Sequence, residues 1–595
     1  MNDDSRDGAG RGHTCPSSDS ASATSQSVGF VAALGIALAI VSILLIVCSS
    51  LLLVGGDGLS QPQATVLGGA GVLIAGVITF FAAHLTRVST ERTAAGALAQ
   101  AKAEADAGHQ REVTRDLRAR YTTAAEQLAH NSAAIRLAGV YALASVADDW
   151  RLQRDIEEQQ VAIDLLRSYL RTPNIAHSQD GIPTAESIFS DPRELEVRKS
   201  ILLTVYKRNN LVATDSKSWG TLDCNLANAD LVHLQLSNVV LTGVNLVAAD
   251  LTGVNASGAT LSGSKLSGAL LIGADLTGTD LSGADLARAN LTGANLTGAN
   301  LTGANLAGTI LTEVLAEHAQ FESANLSGSV IARATLTGAN LAGTNISNAD
   351  LTGATFARVN LAGAKLVRSN LTHIDLSSSD MTKVDLTHAE AVGANLTSAR
   401  LTRASLVKTN LAEAIMGSTN LSSANLAGAN LTDANVAGGV LTTAILDGAI
   451  LKHANLTRAN LDHARLTGVD MTGVDLTAAT FTKASMDAVI ATGARMPRAH
   501  MNSVLLTDAD LSGADLNHAD LSGANLISAN LAGARLTSAT MSRCNLFGTN
   551  LDGAELKGAK FRGATYGLST RWPADFELKS VNFDREREPG LAWGV

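Results

Sequence analysis

One rule governs more than half of this chain: from Leu226 to Phe561 every fifth residue is apolar, through 68 consecutive pentapeptides without insertion or deletion. Fifty of those slots are Leu, and seven of the eight Met residues (Met381, Met416, Met471, Met486, Met496, Met501 and Met541) substitute for it. A shape-limited interior imposes such a substitution, because flexible Met fills a Leu-sized site. The slot two residues earlier is almost always Ala, Ser, Thr, Val or Cys, and the other three are mostly polar or Gly. Strands alternate with period 2 and helices with period 3.6, so a period of five demands a bend in every unit. Gly stands two residues after the Leu in 31 units, where a tight turn asks for positive φ. Asn or Asp stands just before the Leu in 38 units, where a short polar side chain bonds nearby backbone or stacks from coil to coil.

Runs such as ADLARANLTGANLTGANLTGANLAG (Ala284 to Gly308) resemble the A(D/N)LXX motif of the pentapeptide repeat family. The resemblance implies a mainly β fold, a right-handed quadrilateral β-helix with four pentapeptides per coil and the Leu and Ala pointing inward. Over residues 220 to 566 that makes about 17 coils and, at ~4.8 Å between neighbouring strands, a rod about 80 Å long. Arg120 to Trp150 is similar to a helical segment that precedes the repeats in membrane-anchored bacterial members, and Thr565 to Glu577 to their C-terminal ending. Open coils expose unpaired edges and apolar core, so both ends need covering. Trp219 and Trp572 are the candidate lids, the latter in a C-terminal cap and tail over 567 to 595.

Upstream of the repeat the composition changes in steps. Residues 1 to 27 are polar and rich in Ser, Asp and Gly, which predicts a disordered tail. Val28 to Val54 and Ala64 to Ala83 then run without a charge, against the ~20 residues a helix needs to cross a bilayer. The reading is a two-helix transmembrane hairpin over 28 to 84, with spans of about 28–54 and 64–84. Gly35 and Ala39, and Gly71 and Ala75, have the small-residue spacing that lets membrane helices approach. The connecting Gly55 to Gln63 has no Lys or Arg, whereas Arg87, Arg92 and Lys102 follow the second span, so both termini are expected in the cytoplasm. With the resemblance, this implies the bacterial inner membrane.

Residues 85 to 219, with 18 basic and 18 acidic residues, read as a helical juxtamembrane module. Leu137, Val140, Tyr141 and Ala144, then Ile163, Leu166 and Leu170, keep helical spacing; Asn131 and Ser132 are candidate N-caps, and a third helix is expected near Leu195 to Tyr206. A plain spacer and a docking module both fit that pattern.

No catalytic, cofactor-binding or metal-ligating residue is assigned, and no cofactor is expected. Eight His lie in outward slots of the repeat; His453 and His463 would face opposite sides, and His373 and His453 would be four coils apart. Cys224 and Cys544 take the small inward slot and read as core. A net charge of -10 and pI near 5.7 argue against direct nucleic-acid binding. The expected function is a non-enzymatic, membrane-anchored scaffold whose rod meets an unidentified protein partner. The alternative implied by the resemblance is a DNA-mimicking modulator of DNA gyrase. That would need a continuous acidic face, whereas the repeat carries 27 acidic and 21 basic residues.

Overall fold

The computed structural model describes residues 19–54, 61–173, 191–212 and 214–578. It divides into two units, Met1–Asp116 and Leu117–Val595.

In the first unit, α1 covers Asp19–Val54 and α2 begins at Gln61, ending in the second unit at Leu128. Two sequence expectations need correction here. Residues 19 to 27, assigned to a disordered tail, are helical, because extending a helix that the apolar run already nucleates is far easier than starting one. No element boundary falls near residue 84: α2 continues through it, with Arg87 and Glu91 paired one turn apart at 3.0 Å. Among the described residues one helix, Ala64–Leu128, holds a window apolar and long enough to cross a membrane. The apolar part described in α1, Leu38–Ser50, is shorter than a span requires. Among the described residues, a Cβ added at Gly35 or Gly71 would meet no atom within 4 Å. Residues 1–18 and the connecting residues 55–60 lie outside the described set.

In the second unit, α3 (Ala133–Leu152), α4 (Ile156–Arg171) and α5 (Pro192–Asn209) pack on one another and lead into the repeat. The apolar spacing predicted the first two, and the third falls where it was expected, near Leu195 to Tyr206. Asp155 caps α4 by accepting from the Glu158 N–H, and Asp191 caps α5 by accepting from that of Arg193. Ser132 occupies the N-cap of α3 but makes no capping bond.

The repeat closes a coil every 20 residues. Parallel bridges join Asp230 to Asp250, Gln235 to Asn255, Val240 to Thr260 and Asn245 to Lys265, and so on to Asn545 with Thr565, giving four sides to each coil. Each side contributes one bridging residue; the described repeat contains isolated bridges rather than extended strands, because the chain turns again before a second pair can form.

The unit around Asn290 shows why five residues suffice. Leu291 N–H donates to Ile310 O (2.8 Å), Gly293 to Thr312 O (2.9 Å), Ala294 back to Leu291 O (2.9 Å) and Asn295 to Ala274 O (2.9 Å). The remaining donor, Thr292 N–H, bonds the Asn290 side-chain oxygen at 3.0 Å. All five N–H groups are satisfied, and the motif's Asn or Asp is the acceptor that completes the set.

The slot two after the Leu has positive φ in every one of the 68 units, and 37 of those residues are not Gly. The turn therefore dictates the conformation, and Gly is only its least strained occupant. Inside, the Leu-slot residues are buried, with Phe321, Phe356, Phe481 and Phe561 the bulkiest. Hydroxyls in the small slot bond across coils, as Thr279 Oγ1 to Ala256 O (2.8 Å) and Thr409 Oγ1 to Leu386 O (2.8 Å), or within their own turn, as Ser329 Oγ to Leu326 O (2.7 Å); the buried Ser264 Oγ has no partner among the described residues.

Candidate interaction surface

A first coil has no predecessor to bond its outer carbonyls, and the helical module supplies the donors instead. Arg167 Nε donates to Asn225 O (2.8 Å) and its NH1 to Asp223 O (2.9 Å). Arg171 Nε reaches Ala227 O (3.1 Å), Arg198 NH1 reaches Asp230 O (2.9 Å), and Tyr206 Oη reaches Thr242 O (3.3 Å). The Asp230 N–H in turn donates to Leu170 O at 2.7 Å. Side chains of α4 and α5 thus stand where a coil's backbone would, and the module is a lid on the rod rather than a plain spacer.

Two buried carboxylates hold that lid together. Glu194 accepts from Arg136 NH2 (2.7 Å), Arg198 Nε (3.1 Å) and Tyr169 Oη (2.8 Å), tying α3, α4 and α5 to one point. Burial first, then the bond to Glu194, pushes the Tyr169 phenol up to about 12. Asp148 accepts from Arg208 NH2 (2.9 Å) and from Nε1 of the fully buried Trp219 (3.0 Å). Trp219 is therefore a lid residue, as its sequence position suggested. The arginines and carboxylates around it escaped the sequence reading; the only signal was Arg167 and Arg171 one turn apart on α4. At the other end the frame slips by one residue, Asn550 bridging Arg571, and Trp572 stacks on Phe576 (5.0 Å) and meets Phe561 (5.7 Å) and Tyr566 (5.6 Å) edge-on.

Between the lids the outward slots form the surface. Asn and Asp side chains bond along it from coil to coil, as Asn305 Nδ2 to Asp285 Oδ1 (2.9 Å) and Asn325 Nδ2 to Asn305 Oδ1 (3.2 Å). The Ser267 hydroxyl, chiefly, holds the Asp285 carboxyl below its ordinary range, with burial opposing. Among the described residues no group of three or more His, Cys, Asp or Glu is placed to hold a metal ion. Seven of the eight repeat His occupy the positive-φ slot, and four of them, including His373 and His453, fold over the Gly one coil on. Cys544 is buried with Sγ 3.0 Å from Leu521 O, and burial pushes its thiol up to about 12; Cys224, half-buried, is raised to the same value for the same first reason. A shallow groove of about 360 Å³ beside α2 and α3 has one charged lining residue, Arg120, already paired with Asp149 at 2.8 Å.

Pentapeptides stacked four to a coil and lidded at both ends define a solenoid of the pentapeptide type. The chain belongs to the pentapeptide repeat family: the sequence pattern described as "Pentapeptide repeats" matches it in overlapping copies from residue 223 to 565. For that family the repeats imply a right-handed quadrilateral β-helix.

Among solved structures the chain is similar to HetL, a pentapeptide repeat protein involved in heterocyst differentiation regulation from the cyanobacterium Nostoc sp. strain PCC 7120. The two are 32% identical over 40% of this chain and 88% of that one, with a TM-score of 0.23. It is also similar to the pentapeptide repeat protein Rfr23 from the cyanobacterium Cyanothece 51142 (31% identity, 20% of this chain and 63% of that one, TM-score 0.12). QnrB1, a plasmid-mediated fluoroquinolone resistance protein, is 17% identical over 28% of this chain and 89% of its own, with a TM-score of 0.24. No curated protein matches the chain.

Proposed function

We propose that this protein is a membrane-anchored, non-enzymatic scaffold that presents its rod in the bacterial cytoplasm to a protein partner. One observation carries the reading: the inter-coil backbone donors and the Leu-slot side chains of the rod are spent on its interior, so recognition falls to side chains in the outward slots, polar ones and exposed apolar ones such as Leu315 and Ile415. The apolar window in α2 supports anchoring by length and composition. The gyrase reading is less well supported, because carboxylates that an acidic face would need are paired one coil on, Asp380 with Arg400, Asp475 with Arg495 and Asp515 with Arg535.

The test compares the full chain with one lacking residues 1 to 84, which keeps the helical lid. Partner capture should survive the deletion while sedimentation with membranes is lost. If neither chain enriches anything beyond a control rod of equal length, the scaffold reading fails. Inhibition of gyrase supercoiling by the shortened chain, relieved by salt, would put the alternative first.

A further inference from the structure

Charges in register one coil apart on this rod are elsewhere of opposite sign wherever they pair: Arg333 bonds Glu313 (2.9 Å), and Arg535 lies between Asp515 and Glu555 (3.7 Å each). Among the basic residues one face departs from that pairing, as the acidic pair Asp230 and Asp250 does at the start of the rod. Lys365, Asp385 and Ser405 follow one another along it in successive coils. The turn on one side puts Lys383 in register with Arg403, and the turn on the other side stacks Arg368, His388 and Lys408. All five Lys and Arg are exposed, and none is in an ion pair among the described residues. Asp385 is turned to its own loop, accepting from Thr387 N–H (3.0 Å) and Oγ1 (2.6 Å).

These side chains occupy strained ground. Arg368, Lys383, His388, Arg403 and Lys408 have φ of 56°, 59°, 61°, 60° and 55°, in the slot that Gly fills in 31 other units. Several long side chains in this slot fold over a Gly one coil on, as His318 over Gly338 and Arg288 over Gly308. Lys408 does so over Gly428, but Arg368 is followed by His388 and Lys383 by Arg403, so no such recess is available to those two. At Lys383 and Arg403 a strained turn and like-charge stacking are carried together with no ion-pair partner among the described residues, which leaves an external anion to offset them.

We propose that the face from Lys365 to Lys408 binds an acidic peptide segment of the partner protein. The positive face is about 10 Å long over three coils at ~4.8 Å each, which an extended peptide of four or five residues covers at ~3.3 Å per residue. A nucleic-acid duplex or a bilayer would reach past it onto a rod of net negative charge, with Asp380 and Glu390 on the two adjoining faces. The inter-coil backbone donors of the face are already bonded within the rod, so carboxylates are read by Lys and Arg side chains, with the turn N–H groups of Val367, Thr402 and Val407 unbonded beside them among the described residues, and not by strand addition. The inference rests on the scaffold reading and names the chemistry of its partner.

The experiment uses the full chain in phosphatidylcholine nanodiscs and fluorescein-labelled hexaglutamate, read by anisotropy, with hexalysine, a short DNA duplex and phosphatidylglycerol vesicles as competitors. Replacing Lys383, Arg403 and Lys408 together by Gly should weaken hexaglutamate binding by about tenfold or more, and raising the salt should do the same. Gly relieves the strained turns, so the unfolding midpoint should hold or rise while binding falls. The control, Arg458→Gly with Lys483→Gly, should change binding less than about twofold. No hexaglutamate binding, an equal loss in the control, or stronger competition by DNA or vesicles than by unlabelled hexaglutamate overturns this assignment. The scaffold reading falls separately, only if no outward face contacts a partner.

Discussion

At Arg465, Thr480, Leu505 and Arg535 the slot before the core Leu holds no Asn or Asp, and the turn N–H two residues on lacks its usual acceptor. Each time a carboxylate or amide one coil earlier takes over: Asp447 for Thr467 (3.1 Å), Asp462 for Thr482 (2.7 Å), Asp487 for Thr507 (3.0 Å) and Asn517 for Thr537 (3.0 Å). Asp447→Ala should therefore destabilise the rod by about 1 kcal/mol, and adding Arg465→Asn, which restores the local acceptor, should recover most of it. Denaturant midpoints of the two single variants and the double variant check this; simple additivity would refute the substitution rule. Inside, Leu401→Asp should cost at least the ~2 to 5 kcal/mol of a large cavity, whereas Thr402→Asp on the outer surface should be nearly silent. Equal losses in thermal unfolding would break the inward and outward assignment. The period of five was legible at this scale because it recurs 68 times. The positive φ of Arg368 or Lys383 was not, because a side chain says nothing of the turn that strains it.

The helical lid is the element on which the first coil depends. Arg198→Met should destabilise it by about 3 to 5 kcal/mol, since Glu194 would keep its burial and lose a charged partner. Protease nicking ahead of Leu226 reads that loss, and unchanged resistance would contradict the role given to Glu194. Tyr169 adds a pH dependence: its phenol is raised from 10.0 to about 12, so the stability it contributes is complete below pH 10 and fades as pH rises toward 12. Tyr169→Phe should flatten that alkaline limb, and an unaltered limb would remove Tyr169 as its cause. Helices α3 and α4 were legible from apolar spacing, α5 from the prolines that end the preceding pattern at Pro173 and Pro192, and the lid role of Trp219 from the need to close an open coil. Arg167, Arg171 and Arg198 were not, because the backbone oxygens they bond lie between 26 and 58 residues away and carry no local pattern. The start of α1 at Asp19 was missed for a related reason: composition describes a segment by itself, while helix propagation depends on its neighbour.

Over the whole molecule, 17 coils touch only their neighbours, so damage should spread along the rod from where it begins. Deleting one residue near Leu426 should disrupt the coils beyond it, because every later Leu leaves its slot. The proposed topology predicts that a cysteine at Asp57 reacts with an impermeant reagent in intact cells and one at Ser569 does not; the opposite labelling would reverse it. The central claim is that the outward slots are the working surface. It is tested most directly by placing a photo-crosslinking residue in the full chain in living cells at Ser405, Asn410, Ile415 or Asn420, one on each face, at Asn425 one coil beyond Ser405, and at Tyr141 on the helical lid. The account predicts adducts to one protein from a single face, repeating at Ser405 and Asn425, with the other faces silent. Adducts from Tyr141 alone, or none from any face, would contradict it.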